Sequence, residues 1–256
     1  MSSVAVTPRR FPRVASKPPM AIQQSAQSHE RNRLLRALPQ EDYTALSSHL
    51  ESVALKVGDV QAEQNAPFSH VLFVETGMVS VVNHIGKGTI EVGTIGNEGM
   101  SGLSVFLDDG IATSKTFVQV PGSGKQIRAA DFVRIVEDRP AIKRLLNRYT
   151  HAFLTSIAQT AACNLSHQLH ERCARWLLMT HDRMEGAETF PLTHEFLSAM
   201  LGVRRSGVTV AAGALQDAGF IRYTRGNITV TDRKGLERAS CECYGVVRSQ
   251  FDRLLG

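Results

Sequence analysis

Residues 192–221, LTHEFLSAMLGVRRSGVTVAAGALQDAGFI, hold two apolar faces at helical spacing separated by a glycine. Phe196, Leu197, Met200 and Leu201 make a short first face that Gly202 closes, and Val208, Ala211, Ala212 and Leu215 make a second. A two-turn helix, a glycine-containing turn and a longer helix form the helix-turn-helix pattern. In that geometry the first helix braces across the DNA backbone and the second enters the major groove by its N-terminal end. Arg204 and Arg205 stand at that end, and an arginine fork matches guanine O6 and N7. The next run, IRYTRGNITVTD (221–232), has two β-rich segments around Arg225-Gly226-Asn227, where Gly-Asn signals a hairpin loop. It reads as a wing, with Arg222 and Arg225 on phosphates, contacts that position a protein without reading sequence. The candidate DNA contacts are Thr193, His194, Arg204, Arg205, Ser206, Thr209, Arg222 and Arg225. An arginine pair alone is ordinary on a solvated helix; the turn and the wing make the constellation specific.

Two features are locally unfavourable. Arg204 occupies the cap of the second helix, where a Ser, Thr or Asp would accept N–H bonds, at a cost of about 1 kcal/mol. A DNA phosphate could take that place. Gly207 and Gly213 each cost about 1 kcal/mol against alanine inside a helix, and close packing between helices would account for them.

Ahead of this unit the texture differs. Residues 30–51 carry two short helical patterns broken by Pro39. From Val53 to Ile127, short apolar runs alternate with glycine-bearing turns: 53–57, 70–75, 78–85, 89–95, 103–107, 115–120 and 125–129. Many short strands at turn spacing predict a β-sandwich or barrel, read here as a jelly-roll-like domain. From residue 139, Ile142, Leu146, Tyr149, Phe153, Ser156, Thr160, Cys163 and His167 step by four and three. This heptad seam predicts a two-stranded dimer interface through Ile142, Leu146, Tyr149, Phe153, Ser156 and Thr160, the alternative being packing on the chain's own β-domain. Residues 168–184 form a further helical pattern.

The order of β-domain, long helix and winged helix-turn-helix over about residues 30–232 resembles the cyclic-AMP receptor / fumarate-nitrate regulator family of bacterial transcription factors. The resemblance rests on LTHEFLSAMLGVRRSGVTVAAGALQDAGFI and, in the β-domain, on VGDVQAEQNAPFSHVLFVETGMVSV (57–81) with its Gly58-Asp59 and Glu75-Thr76-Gly77. It implies an α+β chain with four parts: a disordered basic tail (1–28), a cyclic-nucleotide-binding-like jelly roll (29–138), a dimerisation helix (139–167) and a winged helix-turn-helix domain (168–256). It further implies a dimeric, DNA-binding regulator of the cytoplasm on a palindromic operator, with RNA polymerase as a partner. Arg205 falls on a base-reading arginine of the family, but Ser206, Gly207 and Val210 depart from its usual Glu, Thr and Arg, so operator sequence does not carry over. The expected effector pocket comprises Gly99, Met100, Ser101, Gly102, Thr113, Ser114 and Lys115. Relatives that bind cyclic nucleotides place a Glu and an Arg-Ser or Arg-Thr pair there. This chain has neither charged group, so cyclic AMP is not expected as effector.

Composition sets the outer bounds. The 256 residues are 43% apolar and 21% charged, enough for ordinary cores. The net charge of +5 divides into +6 over residues 1–36, −3 over 37–163 and +2 over 164–256. The basic tail reads as solvated, or as attracted nonspecifically to phosphate. No run reaches the roughly 18 apolar residues of a membrane span, and the prolines near the N-terminus do not fit a signal peptide. Enzyme chemistry finds no support: QVPGSGKQ (119–126) lacks the first Gly and final Ser/Thr of a P-loop, and His70 and His84 are isolated rather than paired as metal ligands. Four cysteines make no disulfide framework, which fits a reducing cytoplasm. Residues 1–162 contain none, so the N-terminal iron–sulfur ligand set of some relatives is missing. Cys241-x-Cys243 has the form of a ligand pair, but 235–254 reads as one helix, which would hold residues two apart about 200° from each other. The expectation is therefore packed thiols with no cofactor and no metal; a redox- or metal-responsive regulator, or a sensor or scaffold acting through protein partners, is the alternative.

Overall fold

The computed structural model describes residues 26–86, 88–184 and 186–255. Residues 1–25, nearly all of the expected tail, lie outside the described residues. Ala26–His29 already form a 3-10 turn. There the buried Gln27 amide donates to the carbonyls of Leu35, Arg36 and Leu38, at 3.2, 3.2 and 2.6 Å. These are the orphan carbonyls at the end of helix α1 (Arg33–Ala37), which Pro39 separates from α2 (Gln40–Ser47). Asn32, fully buried, accepts from the Leu34 and Leu35 N–H groups. It donates to the Val74 and Gly99 carbonyls, so one amide caps α1 and fastens it to the sheet.

The sheet runs β1 (Glu51–Leu55), β2 (Val60–Ala62), β3 (His70–Ile85), β4 (Gly88–Ile95), β5 (Met100–Ser101) and β6 (Lys115–Arg128). The pairing is antiparallel throughout, in the order β1-β6-β3-β4, with β2 added on β6 and β5 on β3. The segments 70–75 and 78–85 are halves of one strand, as are 115–120 and 125–128. Gly77, with φ +84°, and Gly122 sit where β3 and β6 bend across each other. A Cβ on Gly77 would lie 2.6 Å from the Val120 carbonyl oxygen, and one on Gly122 would strike the Thr76 carbonyl. Register slips between Val74 and Val79 mark the corner. One long strand pair thereby serves both layers of a jelly-roll-like domain. LSVFL (103–107) is not a strand but helix α3 (Leu103–Leu107), entered through Gly102 at φ +90°; an apolar run this short fits either period. Helical structure begins before residue 139, at α4 (Ala129–Glu137), which buries Phe132, Ile135 and Val136.

The long helix α5 (Pro140–Ser166) leads to α6 (Leu169–Asp182), β7 (Thr189–Pro191), α7 (His194–Leu201) and α8 (Arg205–Asp217). The hairpin β8 (Ile221–Thr224) and β9 (Asn227–Val230), then α9 (Arg233–Ala239) and α10 (Cys243–Leu255), complete the chain. Within the chain the heptad seam takes the alternative course and packs on the chain's own β-domain. Ile142, Leu146, Tyr149, Phe153 and Ser156 are buried within their own chain. Tyr149 donates to the Met100 carbonyl at 3.0 Å and stacks on Phe153, and Thr160 accepts from Arg175 at 2.9 Å. The apolar edge is spent on the β-domain. The opposite face carries Asn147, His151, Leu154, Ala158, Ala161 and Leu165, all exposed and again stepping by four and three.

The two halves share a core. Met78, Val82 and Val120 of the sheet pack in one cluster with Trp176, Leu177, Leu197 and Met200. The Phe196 ring meets Phe117 edge-on at 6.2 Å. Across this joint Arg183 grips Glu98 through Nη2 and Nε, at 2.5 and 3.2 Å, and reaches Thr94 at 2.8 Å. Glu91 accepts from Ser80 at 2.7 Å and from the Trp176 indole at 2.9 Å.

Burial raises the Glu91 carboxyl to about 7 against the hydrogen bonds of Ser80 and Trp176 and the fields of Arg183 and Arg175. A group that binds its proton more tightly when folded stabilises below the ordinary carboxyl range and loses that contribution as pH climbs through its folded value. Denaturant titrations should show stability falling by about 2–4 kcal/mol between about pH 5 and pH 8 on this account. Glu91→Gln should flatten the fall; an unchanged slope in the variant places its source elsewhere. The two helical glycines should also separate. A Cβ on Gly207 would press Leu169 at 3.1 Å, whereas one on Gly213 meets nothing within 4 Å. Gly213→Ala should gain up to about 1 kcal/mol in thermal unfolding, and Gly207→Ala should gain nothing.

Candidate nucleic-acid interface and a cysteine–histidine cluster

Helix α7 starts at Thr193, whose hydroxyl accepts from the Phe196 N–H at 3.1 Å, and stops at Gly202 in the left-handed region at φ +63°. That turn sets the angle at which α8 leaves. Val208, Ala211, Ala212 and Leu215 face inward. Arg204, Arg205, Ser206, Thr209 and Val210 are exposed. Arg204 caps α8 in extended conformation with no side-chain cap bond, as its chemistry requires. His194 stacks on Tyr223 at 4.2 Å and shares a hydrogen bond of 3.1 Å with Thr209. Its Nε2 is buried without a partner among the described residues. Burial, with the field of Arg205, holds the imidazole below its ordinary range and so favours the neutral ring.

The wing forms with a shift of one residue. The two-residue loop is Arg225-Gly226, at φ +49° and +81°, and Asn227 opens β9. Positive φ at both loop positions marks a type I′ turn. A β-branched or bulky residue is strained there, so the tip holds a cation in a costly conformation. Arg222 and Arg225 are exposed, and β7 completes the order β7-β9-β8. Val210, 75% exposed on α8, was absent from the expected contacts. Its position one residue past Thr209 was readable, but an apolar residue carries no charge signal; an exposed methyl pair suits a thymine methyl.

In the β-domain, Met100, Ser101, Gly102, Thr113 and Ser114 line a cavity of about 410 Å³ together with Phe68, Val81, Ile95 and Phe153. Asp108 and Asp109 also line it, and among the described residues its lining includes no lysine or arginine. Two expected pocket residues lie elsewhere. Gly99 sits beneath Tyr149, whose ring a Cβ would meet at 2.6 Å. Lys115 pairs with Glu63 at 2.9 Å. The hydroxyls of Ser101 and Ser104 are buried without a partner among the described residues.

The cysteines overturn the expectation of no metal-ligating group. Ligand atoms of Cys163, His167, Cys241 and Cys243 all lie within 4.8 Å of one another. The helix assumed over 235–254 is broken: α9 ends at Ala239 and α10 begins at Cys243, leaving Cys241 in the link. The 200° separation therefore does not apply. Cys163 lies in the last turn of α5 and His167 is the extended residue that caps it. The Cys163 and Cys241 sulfurs are 3.5 Å apart, and so are the Cys243 sulfur and His167 Nδ1. The hydrogen bond with Cys241 draws the Cys163 thiol well below its ordinary range against burial, with help from the Arg175 field. Cys173, buried alone in α6, is pushed up to about 12.

Residues 171–239 match the sequence model of the Crp-like helix-turn-helix domain. No curated protein matches the chain. Among solved structures, a Crp/Fnr-family protein from Eubacterium rectale is 22% identical with a TM-score of 0.62, over 80% of this chain and 96% of its own. FixK2 from Bradyrhizobium japonicum is 16% identical with a TM-score of 0.62, over 75% and 98%. A CRP-family transcriptional regulator from Thermus thermophilus is 17% identical with a TM-score of 0.60, over 74% and 96%. At these identities the likeness is one of fold. The chain thus carries a Crp-like helix-turn-helix domain within the architecture of the CRP/FNR regulators.

Proposed function

We propose that the protein is a transcriptional regulator that binds double-stranded DNA as a homodimer. The observation that carries this reading is the exposed row Arg205, Ser206, Thr209 and Val210 on α8, flanked by Arg222 and Arg225 of the wing, within a segment that matches the Crp-like helix-turn-helix domain. Arg205 reads a guanine and Val210 a thymine methyl in the major groove. The exposed start of α8, with no side-chain cap, receives a phosphate. Two heads read half-sites about 34–36 Å apart. Arg205→Ala should cost about 1–3 kcal/mol on the best site and relax preference at one base pair per half-site, measured by mobility shift over a salt series. Arg225→Ala should weaken all sequences alike and reduce the salt slope. Unchanged affinity and preference in Arg205→Ala removes α8 as the recognition helix.

Dimerisation is assigned to the outer face of α5. Leu154 is 59% exposed and Leu165 91%, with Ala158 and Ala161 between them in one heptad row. Small residues between two leucines let a second helix approach closely, and exposed apolar rows of this kind mark partner surfaces. Leu154→Asp with Leu165→Asp should give a monomer by light scattering. Phe153→Ala, on the inner face, should cost about 3–5 kcal/mol of stability without changing association. A dimer that survives the double aspartate variant locates the interface elsewhere.

The β-domain cavity suits an uncharged, largely apolar effector. A cyclic nucleotide would bury its phosphate in a lining that, among the described residues, holds Asp108 and Asp109 and no cation, and its desolvation would stay uncompensated. Phe153 lines the cavity and belongs to α5, so an occupant bears directly on the helix assigned to the dimer.

A further inference from the structure

The geometry points to a zinc site built by Cys163, His167, Cys241 and Cys243, which clasps the end of the long helix to the segment that follows the wing. Two pairs from distant sequence meet there. Cys163 and His167 lie one helical turn apart at the end of α5, and Cys241 and Cys243 bracket the break between α9 and α10. Their four ligand atoms converge within 4.8 Å.

Two of the six ligand-to-ligand spacings are close to those of a single tetrahedral ion, and all lie within 4.8 Å. With Zn–S near 2.3 Å and Zn–N near 2.0–2.1 Å, a tetrahedron places two sulfurs about 3.8 Å apart and a sulfur and a nitrogen about 3.5 Å apart. The observed separations are 3.5 Å for the Cys163–Cys241 sulfurs and 3.5 Å for Cys243 with His167 Nδ1. An iron–sulfur cluster must spread its thiolates around a body of several atoms, so convergence on one point favours one ion. Three thiolates and an imidazole are a soft, nitrogen-tolerant set that zinc accepts in structural sites.

The surroundings are those of a supported site. His167 turns Nδ1 toward Cys243 and Nε2 toward Glu242, 3.2 Å from the carboxylate. A carboxylate on the far nitrogen fixes the tautomer that leaves Nδ1 free to ligate. The Gln159 amide donates to the Cys243 sulfur at 3.0 Å. Three thiolates around one divalent ion leave a net charge of −1. Arg175, buried and with an Nε that has no partner among the described residues, supplies a compensating cation nearby. On binding, the protons still held by the three thiols leave to solvent and no electrons move.

The site's mechanical meaning rests on the proposed DNA-binding role, but its existence does not. The clasp fixes the link at 240–242 against α5, and so holds the C-terminal unit in one orientation relative to the long helix. The full chain, purified anaerobically without added metal, should contain close to one zinc per chain by elemental analysis. Cys163→Ser and Cys241→Ser should lose it, while Cys173→Ser keeps it. His167→Gln, at a partly buried position just past the helix end, tests the site without removing a core thiol; it should weaken zinc retention against a chromogenic chelator at least tenfold. Cobalt(II) added to the stripped wild-type chain should give the intense visible bands of a tetrahedral thiolate site. Chelation should open the link near Ser240 to protease, and zinc should close it again. A metal-free chain whose four thiols all titrate freely overturns the proposal. So does iron with acid-labile sulfide, or a Cys163–Cys241 disulfide in the anaerobic chain. DNA affinity enters none of these readouts, so a failed DNA-binding assay leaves them intact, and the converse also holds.

Discussion

The Arg183–Glu98 pair is the constraint on which the architecture turns. Both groups are buried, and the pair lies where three parts of the chain cross. Glu98 comes from the turn after β4, Arg183 from the end of α6, and the Arg183 carbonyl accepts from the Gly77 N–H at the corner of the sheet, at 3.2 Å. Gly96 is bare because the arginine side chain occupies the space its Cβ would need. Two charges taken out of water require close geometry and further hydrogen bonds to offset their desolvation. The bidentate contact, Thr94 and the Gly96 N–H on Glu98 at 3.1 Å provide them. Removing either partner would leave a buried charge unopposed, a loss of about 3–5 kcal/mol. The strand corner, the loop and the helix end are thus held in register by one contact that tolerates little displacement.

Around that joint the long helix has two distinct faces. Its inner row is consumed by the sheet through Tyr149 and Phe153, which leaves the outer row of Leu154 and Leu165 exposed. A seam in sequence states that a helix has a sticky edge. It does not state which surface covers that edge, because a protein's own sheet and a partner helix present the same apolar chemistry. Here the larger side chains went inward, where the area available for burial is greatest, and the smaller ones remained outside. Phe153 belongs both to the helix and to the cavity wall, so the cavity and the helix proposed to pair are joined through one aromatic ring.

Much of this was legible from local signals. Gly202, the faces of α7 and α8, and the arginines at the start of α8 are short-range patterns whose meaning does not depend on distant residues. The glycine-punctuated strands were legible as β structure, but not as two bent strands, because the bend at Gly77 exists only against Val120 and Gly122. LSVFL was too short for its period to decide between strand and helix. The cysteine cluster was missed for a physical reason. Its halves are 74 residues apart in numbering from His167 to Cys241, and a continuous helical pattern over 235–254 hid the break at Ser240 that lets Cys241 and Cys243 turn to the same point. The register of the wing was off by one because Gly-Asn and Arg-Gly both satisfy a two-residue turn, and only the pairing of Thr224 with Asn227 chooses between them.

The shared core has a bearing on how such a protein can be rebuilt. Met78, Val82 and Val120 belong to the sheet by sequence, but their side chains pack in the cluster that contains Trp176 and Leu197. A DNA-reading unit transplanted from a protein of the same architecture would arrive without matching knobs and leave those three residues facing water. A unit cut out at residue 168 would in turn bare its own side of the contact. Chimeras should therefore carry the boundary along the packing surface, exchanging the sheet residues with the head they support, and a swap drawn at a point in sequence would trade specificity for aggregation.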